Sequence, residues 1–460
     1  QRLMGATQWS RQYQYDAAGQ LTGIADNRSG QLSYRYDPVG RLLEAATPKG
    51  LESFRFDPAG NLLDNAPAAD GHQDDSLLGN LLSQYAGRHY RYDSRGNLVE
   101  KRVNGSLSRL EWDSHNRLSR LIAPDGQRTD YHYDPLGRRI AKISQGQATL
   151  YGWDGDVLAF ETRDEEAVHY LFEPDSFVPL AQVHTDAIHG VKVPAWSQHH
   201  PYDPDKDPLR QPAPEPEAPK AVYYYHTDHL GTPQALTDEH GALALEMDYQ
   251  AWGQAREVIA DAASKAGIRN PFRFQGQYHD DESGLHYNRY RYYDPEIGRF
   301  ISRDPIGLMG GLNVHMYADN PILWIDPLGL NRFSRNSWGP CPNGRGTGLT
   351  YTVYQQEIDW NQKHNGITNL DRASDGGAPY IMKDGKLQQL QLHHSRQQSI
   401  GPLFEVTTST HRAANGKGRQ ALHPYGSSKN PDYPVDRKAF DVDRKQYWKD
   451  RAEAAKGCKI

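Results

Sequence analysis

Residues 34–42 read YRYDPVGRL, and the reading of these nine residues decides the fold. Aromatic–x–aromatic puts Tyr34 and Tyr36 on one face of an extended strand, with Arg35 between them on the other. Asp37-x-x-Gly40 then closes a turn, for which Asp and Gly are the apt residues, and Leu42 opens the return strand. The unit is a β-hairpin with one ringed face. A hairpin cannot bury that face by itself, so it must stack on another.

Copies lie on both sides. YQYDAAGQL occupies 13–21 and FRFDPAGNL 54–62; others start at Tyr90 and Tyr131, with degenerate ones around Trp112 and Trp153. The aspartates fall at 16, 37, 57, 93, 113, 134 and 154, and five of the six steps are 20 or 21 residues, so like hairpins repeat at a fixed pitch. The long step, from Asp57 to Asp93, contains NAPAADGHQDDSLLGN and reads as an inserted loop. These units resemble the YD repeats of Rhs and teneurin-type proteins, over residues 13 to about 185. The resemblance implies a mainly β fold, a spiralling antiparallel shell or cocoon that encloses a C-terminal polypeptide. Periodicity alone leaves open a solenoid with a solid core.

The pattern then breaks. Residues 201–219, PYDPDKDPLRQPAPEPEAP, hold seven prolines in 19 positions and read as a surface excursion or linker. Order returns with YYYHTDHLGTP at 223–233. His226, Asp228 and His229 do not read as a metal cluster, since on a strand the first two face one way and His229 the other. Residues 288–295, NRYRYYDP, predict one strand with an aromatic and a cationic face.

Residues 303–330, RDPIGLMGGLNVHMYADNPILWIDPLGL, contain Asp-Pro-x-Gly-Leu twice, with Asp304 and Asp326 22 residues apart. Such a motif is ordinary turn chemistry. Two carboxylates held together also make an acid–base pair, the arrangement of an aspartic protease. The stretches 223–233 and 284–321 resemble the Rhs-associated core domain, a likeness running from about 223 to 330. It implies that the core caps the shell and cuts the chain at Leu330–Asn331, with Asp304 and Asp326 as the aspartyl pair. Arg303 would orient or charge-balance a carboxylate there.

Charge divides the chain at the same place. The net charge of −6 splits into 20 Lys+Arg against 12 Asp+Glu from Asn331 onward, and 32 against 46 before it. A basic module thus follows an acidic body. Both cysteines, Cys341 and Cys458, belong to the module; a bridge between them is allowed but not required, and this is no disulfide framework. No apolar run approaches the ~18 residues of a membrane span, and the mean hydropathy is −0.83.

Within the module, residues 332–348 read as irregular and 349–363 as a short helix anchored by Tyr354, Ile358 and Trp360. Residues 371–378 read as a loop. A hairpin follows from Tyr380, turning at Asp384-Gly385 and running into His393-His394. Adjacent histidines on a strand point to opposite sides, so they suit different jobs. His411 follows a Thr-rich segment able to cap a helix at Thr408 or Ser409, Asn415 lies one turn on, and His423 precedes a proline. Neutral imidazole suits Zn, Mn or Ni, whereas Mg prefers oxygen. Residues 434–456 predict an amphipathic basic helix starting near Pro434.

Leu392-His393-His394, Gly401-Pro-Leu-Phe-Glu405-Val, His411 and Leu422-His423-Pro424 are similar to the LHH branch of the HNH/endonuclease VII nucleases, over about 380–451. That likeness implies a small α+β module of the ββα-metal kind, one divalent cation (Mg, Mn, Zn or Ni) and a DNA substrate. His393 would ligate the metal, His394 would be the general base and His411 a second ligand. The third ligand would be Asn415 or His423, and Glu405 would orient a histidine or hold a helix. Arg437, Lys438, Arg444, Lys445, Lys449 and Arg451 would meet phosphates, unless they form a solvated face.

The expected organisation is therefore a repeat shell at 1–200, a Pro-rich insert or linker at 201–220, a core at 221–330 and a nuclease at 331–460. The first residues carry no secretory signal pattern and the repeats are already running, so the chain is expected to be part of a longer one. An Rhs effector of this kind implies an acidic immunity protein, and a secretion spike and chaperone reached through a preceding segment. It would be made in the producer cytoplasm and delivered into that of a target cell. Two alternatives stand beside it: an adhesive or scaffolding shell with an inert tail, and a passenger that acts on RNA.

Overall fold

The computed structural model describes residues 9–16, 19–64, 77–78, 80–174, 176–187, 201–206, 218–259, 268–307, 313–330, 333–339, 346–356, 358–383, 386–394, 399, 403–408, 431 and 434–457. Strands from Arg11–Tyr15 to Gly50–Ser53 form a five-stranded antiparallel meander, and fifteen more, from Gln84–Tyr85 to Ala255–Ile259, form a second. In both, each strand pairs with its neighbour in the chain, as stacked hairpins require.

The repeated aspartate builds each turn. Asp37 Oδ1 accepts from the backbone N–H of Val39 (3.0 Å) and Arg41 (2.9 Å), and Gly40 takes φ +89°. At Asn116 the left-handed position holds one of the few non-glycine residues that tolerate it, at φ +57°. The residue four beyond the Asp then stitches units together. Arg41 binds its own Asp37 Oδ2 through Nε (2.7 Å) and the carbonyl of Asp57, in the next turn, through Nη1 (2.7 Å). Arg117 repeats this with Asp113 and the carbonyl of Asp134, and Asn97 bonds both Asp93 and Asn116.

In the large sheet the second ring of a unit sits at a β-bulge, for instance between His132 and Tyr133, yet still faces inward. Three of these rings find a carbonyl about one repeat back with their polar tips: Tyr133 on Leu118, Trp112 on Leu98 and Trp153 on Arg139, each at 2.7 Å. Those buried donors are thereby satisfied.

Strand Pro179–Asp186 pairs directly with Ala221–Thr227. The Pro-rich stretch is an excursion between two adjacent strands, so the expected separation of 1–200 from 221–330 does not exist in the sheet. The large sheet packs its ringed face on a four-stranded plug, Tyr278–Asp280, Leu285–Asn288, Arg291–Asp294 and Arg299–Phe300. Residues 288–295 do not make one strand. Arg289, at φ +55°, turns the chain, and the rings on either side belong to two paired strands. At the seam Arg139, 1% exposed, holds Asp280 through Nη2 at 3.0 Å and lies 4.5 Å from the Tyr287 ring centroid. The five-stranded sheet meets the far end of the large one through Arg28–Glu246 (3.1 Å) and Lys49–Asp248 (2.7 Å).

The C-terminal module is α+β. Its sheet runs Trp324–Ile325, Phe333–Trp338, Tyr351–Gln355, Leu403–Thr407, Lys386–His394 and Tyr380–Lys383, and helix Arg437–Gly457 packs on one face over Tyr351, Val353, Leu390 and Leu403. The helix expected at 349–363 is in part the strand Tyr351–Gln355. Thr352 and Val353 favour a pleated surface, and Val353 is fully buried there. The stretch read as irregular contains strand Phe333–Trp338, and the expected loop begins with helix Asn369–Ser374, capped by Thr368 Oγ1 on Asp371 N at 3.0 Å. The hairpin from Tyr380 forms with Lys383 opposite Lys386, around the Asp-Gly pair. The last helix starts after Asp436, whose Oδ1 accepts from Lys438 N at 3.0 Å, rather than at Pro434.

Candidate functional site

Two constellations stand out. The first joins both Asp-Pro-x-Gly-Leu motifs. Each Asp uses Oδ1 for its own turn: Asp304 accepts from Ile306 N at 2.9 Å and Asp326 from Leu330 N at 2.8 Å. Gly307 and Gly329 follow at φ +61° and +72°. Both Oδ2 atoms then converge on one nitrogen, Arg291 Nη2, at 3.0 and 3.1 Å. All three side chains are 2% exposed or less. The guanidinium lies 3.6 Å from the Phe300 ring centroid, and its Nε donates to Gly329 O at 2.5 Å. Asn288 Nδ2 holds the carbonyls of Asp326 and Pro327 at 2.8 and 3.0 Å. The peptide 329–330 is thus clamped from both sides, beside paired carboxylates and one fixed cation.

The clamp is Arg291, not Arg303. Arg303 is exposed and lies along Gly96 of a repeat turn, where the missing side chain makes room for it. Arg291 opens the strand that follows the Arg289 turn, in a segment whose sequence reads instead as one strand with a cationic face.

The second constellation is at the end of strand Lys386–His394. His393 is 6% exposed and opposite Phe404; His394 is 4% exposed and opposite Leu403. The sides differ as expected. His394 shares the helix-facing side with Leu390 and Leu392, its ring 4.1 Å from Phe440 and 5.5 Å from Tyr351. His393 faces the other side. The structure does not bring the two imidazoles together. His411, Asn415 and His423 lie outside the described residues, as do Cys341 and Cys458. Among the described residues no group of three or more His, Cys, Asp and Glu could hold a metal.

Glu405 holds the helix. Its Oε1 accepts from Tyr447 at 2.6 Å and Arg451 Nε at 2.9 Å, and its Oε2 from Gln356 N at 2.7 Å. Burial works against the Arg451 charge, but Glu405 and Tyr447 together outweigh it and raise the guanidinium above its usual value. Arg451 is therefore committed internally and does not belong to a phosphate-facing set. Arg437, Lys438, Lys445 and Lys449 are exposed; Arg444 is half-buried and pairs with Asp441 at 2.9 Å. Of the declined metal trio, His226 Nε2 lies 2.9 Å from Thr237 Oγ1, His229 Nε2 2.9 Å from Ile322 O, and Asp228 caps a turn.

Three families match. Residues 1–158 match the Teneurin YD-shell, 222–259 the RHS protein family, and 368–454 "A nuclease of the HNH/ENDO VII superfamily with conserved LHH". Among curated relatives, "Double-stranded DNA deaminase toxin A" of Burkholderia cenocepacia is 37% identical over 71% of this chain and 23% of its own length. "Toxin protein Tse5" of Pseudomonas aeruginosa is 37% identical over 72% and 27%, and "Probable deoxyribonuclease RhsA" of Dickeya dadantii 33% over 77% and 23%. The chain spans about a quarter of the length of these relatives. Their names differ in activity at similar identity, so overall likeness does not choose among activities. The solved "Crystal Structure of TcdB2-TccC3-Cdc42" aligns with 70% of this chain and 17% of its own at 19% identity and a TM-score of 0.46, too loose to bear on the argument. No helix among the described residues is long and apolar enough to cross a membrane.

Proposed function

We propose that this chain, with its matches to the Teneurin YD-shell, the RHS protein family and the LHH nucleases of the HNH/ENDO VII superfamily, is part of an Rhs/YD-shell polymorphic toxin, cuts itself at Leu330–Asn331 and carries a DNase in residues 331–460. The observation that carries the DNase reading is the LHH match at 368–454, falling on the hairpin, sheet and helix that hold His393.

The self-cleavage is a hydrolysis. One of Asp304 and Asp326 takes a proton from water as it attacks the Leu330 carbonyl carbon; the other gives a proton to the departing nitrogen of Asn331. Two carboxylates on one guanidinium leave the trio one negative charge in excess, which a proton shared by the pair neutralises. Arg291 on Gly329 O and Asp326 on Leu330 N hold the preceding peptide still while this happens.

For phosphodiester hydrolysis the donor set fits a divalent cation in chemistry: imidazole at His393, with His411 and Asn415 or His423. Bound there, a cation would stabilise charge on the phosphate and the leaving oxygen. Arg437, Lys438, Lys445 and Lys449 are exposed on the helix, which packs on the sheet face away from His393, so the backbone phosphates they would meet are not those at the cut. For His394 the geometry favours a role other than the base that the motif implies. Its ring is enclosed between Phe440 and Tyr351 on the face away from His393, which suits packing of the strand end.

The wider setting belongs to the same proposal: production in one bacterial cytoplasm, delivery into another by a secretion spike and chaperone, and an acidic immunity protein for the producer. The test is incubation of the chain carrying Leu230→Ala/Gln275→Ala, which weakens the core-side contacts to the module, with plasmid DNA and with RNA in Mg or Mn. Nicking of DNA that EDTA stops and His393→Ala loses is expected. RNA cut in preference to DNA moves the reading to an RNase, and no cutting of either, with a folded module, rejects it.

A further inference from the structure

The nuclease sheet does not begin in the nuclease. Its first strand is Trp324–Ile325 of the core, which pairs with Phe333–Trp338 across the proposed cut, Ile325 opposite Phe333. The two sides are also packed. Across three neighbouring strands the register aligns Tyr354, Phe404 and His393 on one face, because Tyr354 pairs with Phe404 and Phe404 with His393. That face is opposite the helix. The rings of Tyr354 and Phe404 stack at 4.6 Å and 14°, and they share an apolar cluster with Leu230 and Ile325 of the core. The Tyr354 hydroxyl, buried with the rest of the side chain, donates to Gln275 Oε1 of the core at 3.2 Å and lies 3.3 Å from Ser176 Oγ of the repeat sheet.

We propose that this seam is a latch: the core docks on the sheet face that carries His393 and keeps it covered, and the hold does not depend on the Leu330–Asn331 bond. Every contact in it lies outside residues 326–332. A hydrolysed junction therefore leaves the strand pair, the apolar cluster and the Tyr354 hydrogen bond in place. Cutting the chain makes release permissible without producing it, and activation is a separate undocking step. The latch itself stands on geometry alone; only its consequence for DNA rests on the nuclease reading.

The test weakens the core side, leaving the module's sequence untouched. Full-length wild type and the Leu230→Ala/Gln275→Ala variant are treated with diethyl pyrocarbonate, and modification of His393 is followed by mass spectrometry. The variant is expected to react at least tenfold faster. In chains cut at the junction, by their own aspartates or at a protease site inserted there, wild-type fragments are expected to co-elute on gel filtration and variant fragments to separate. Equal labelling of His393, or separation of the wild-type fragments, overturns the proposal. Should the core-side variant fail to fold by near-UV circular dichroism, Phe404→Asp tests the same seam from the module. DNA cutting, read alongside, should rise in whichever variant undocks; labelling that rises with no cutting anywhere upholds the latch and counts against the nuclease.

Discussion

Replacement of His394 separates packing from chemistry. The side chain is 4% exposed, with the Phe440 ring centroid 4.1 Å away and that of Tyr351 at 5.5 Å. His394→Ala removes a ring from a closed site, and cavity plus lost ring contacts should cost about 3 kcal/mol. In a module of this size that lowers Tm by roughly 10 °C. His394→Phe keeps a ring of similar shape and should cost no more than about 1.5 kcal/mol.

The assay pairs a thermal melt of the module's transition with plasmid nicking, both in the undocked Leu230→Ala/Gln275→Ala background. A packing role predicts that the Phe variant cuts within about threefold of its parent, against the ~10²–10⁴-fold that loss of a general base costs. The Ala variant should lose activity only in step with its folded fraction. A Phe variant that melts normally but cuts ~100-fold more slowly would refute the packing argument and restore His394 as base.

Arg291→Ala should leave one unbroken chain on a denaturing gel, as should Asp304→Asn and Asp326→Asn, while Arg303→Ala is cut as completely as wild type; a block in Arg303→Ala contradicts the clamp. Glu405→Gln strands the Arg451 charge inside the module and should cost about 3 kcal/mol, measurable by denaturant melts. Burial holds three plug imidazoles neutral, with positively charged Arg273 (for His279 and His286) and Arg299 (for His315) adding to it. His279 is pushed down to about 4, His315 to about 3 and His286 well below its usual value. Unfolding lets each bind a proton below ~6.5, so this stability is whole above that pH and declines as the pH falls toward 4. Melts at pH 7 and pH 5 should differ by about 1–2 kcal/mol per imidazole, and equal values would mean these rings are not neutral in the fold.

The repeat hairpins were legible because their periodicity is set by local chemistry: rings two apart, Asp in the turn, Gly where φ is positive. The plug was not, since its charges are partnered across more than a hundred residues, as Arg139 is with Asp280, and no short window contains both. Arg291 was hidden for a different reason. Its two partners are near in sequence, but the turn at Arg289 that aims it is a positive-φ arginine, which no propensity favours. In the module, Tyr351–Gln355 reads as helix because Val353 and Tyr354 are adjacent and both buried, on opposite faces of the sheet, which breaks the alternation of a strand. The LHH string located the hairpin and the histidines. It could not indicate that His394 turns toward Phe440, which is set by a helix that starts over forty residues later.

The structural and the proposed catalytic aspartates are built on one turn. In a repeat, Asp37 accepts with Oδ1 from the amide of Arg41 and with Oδ2 from the side chain of that same residue, four positions on. In the second core motif, Asp326 gives Oδ1 to the amide of Leu330 in the same manner, but the residue four positions on has no donor in its side chain. Leu308 stands at the equivalent place after Asp304. The outer oxygen that a repeat spends on its local Arg or Asn is left over in the core motifs. Both leftover oxygens turn to Arg291, a cation from another strand. A turn that ordinarily satisfies its own carboxylate thus presents it instead, and the leucine that gives the motif its last letter is the substitution that makes the pair available.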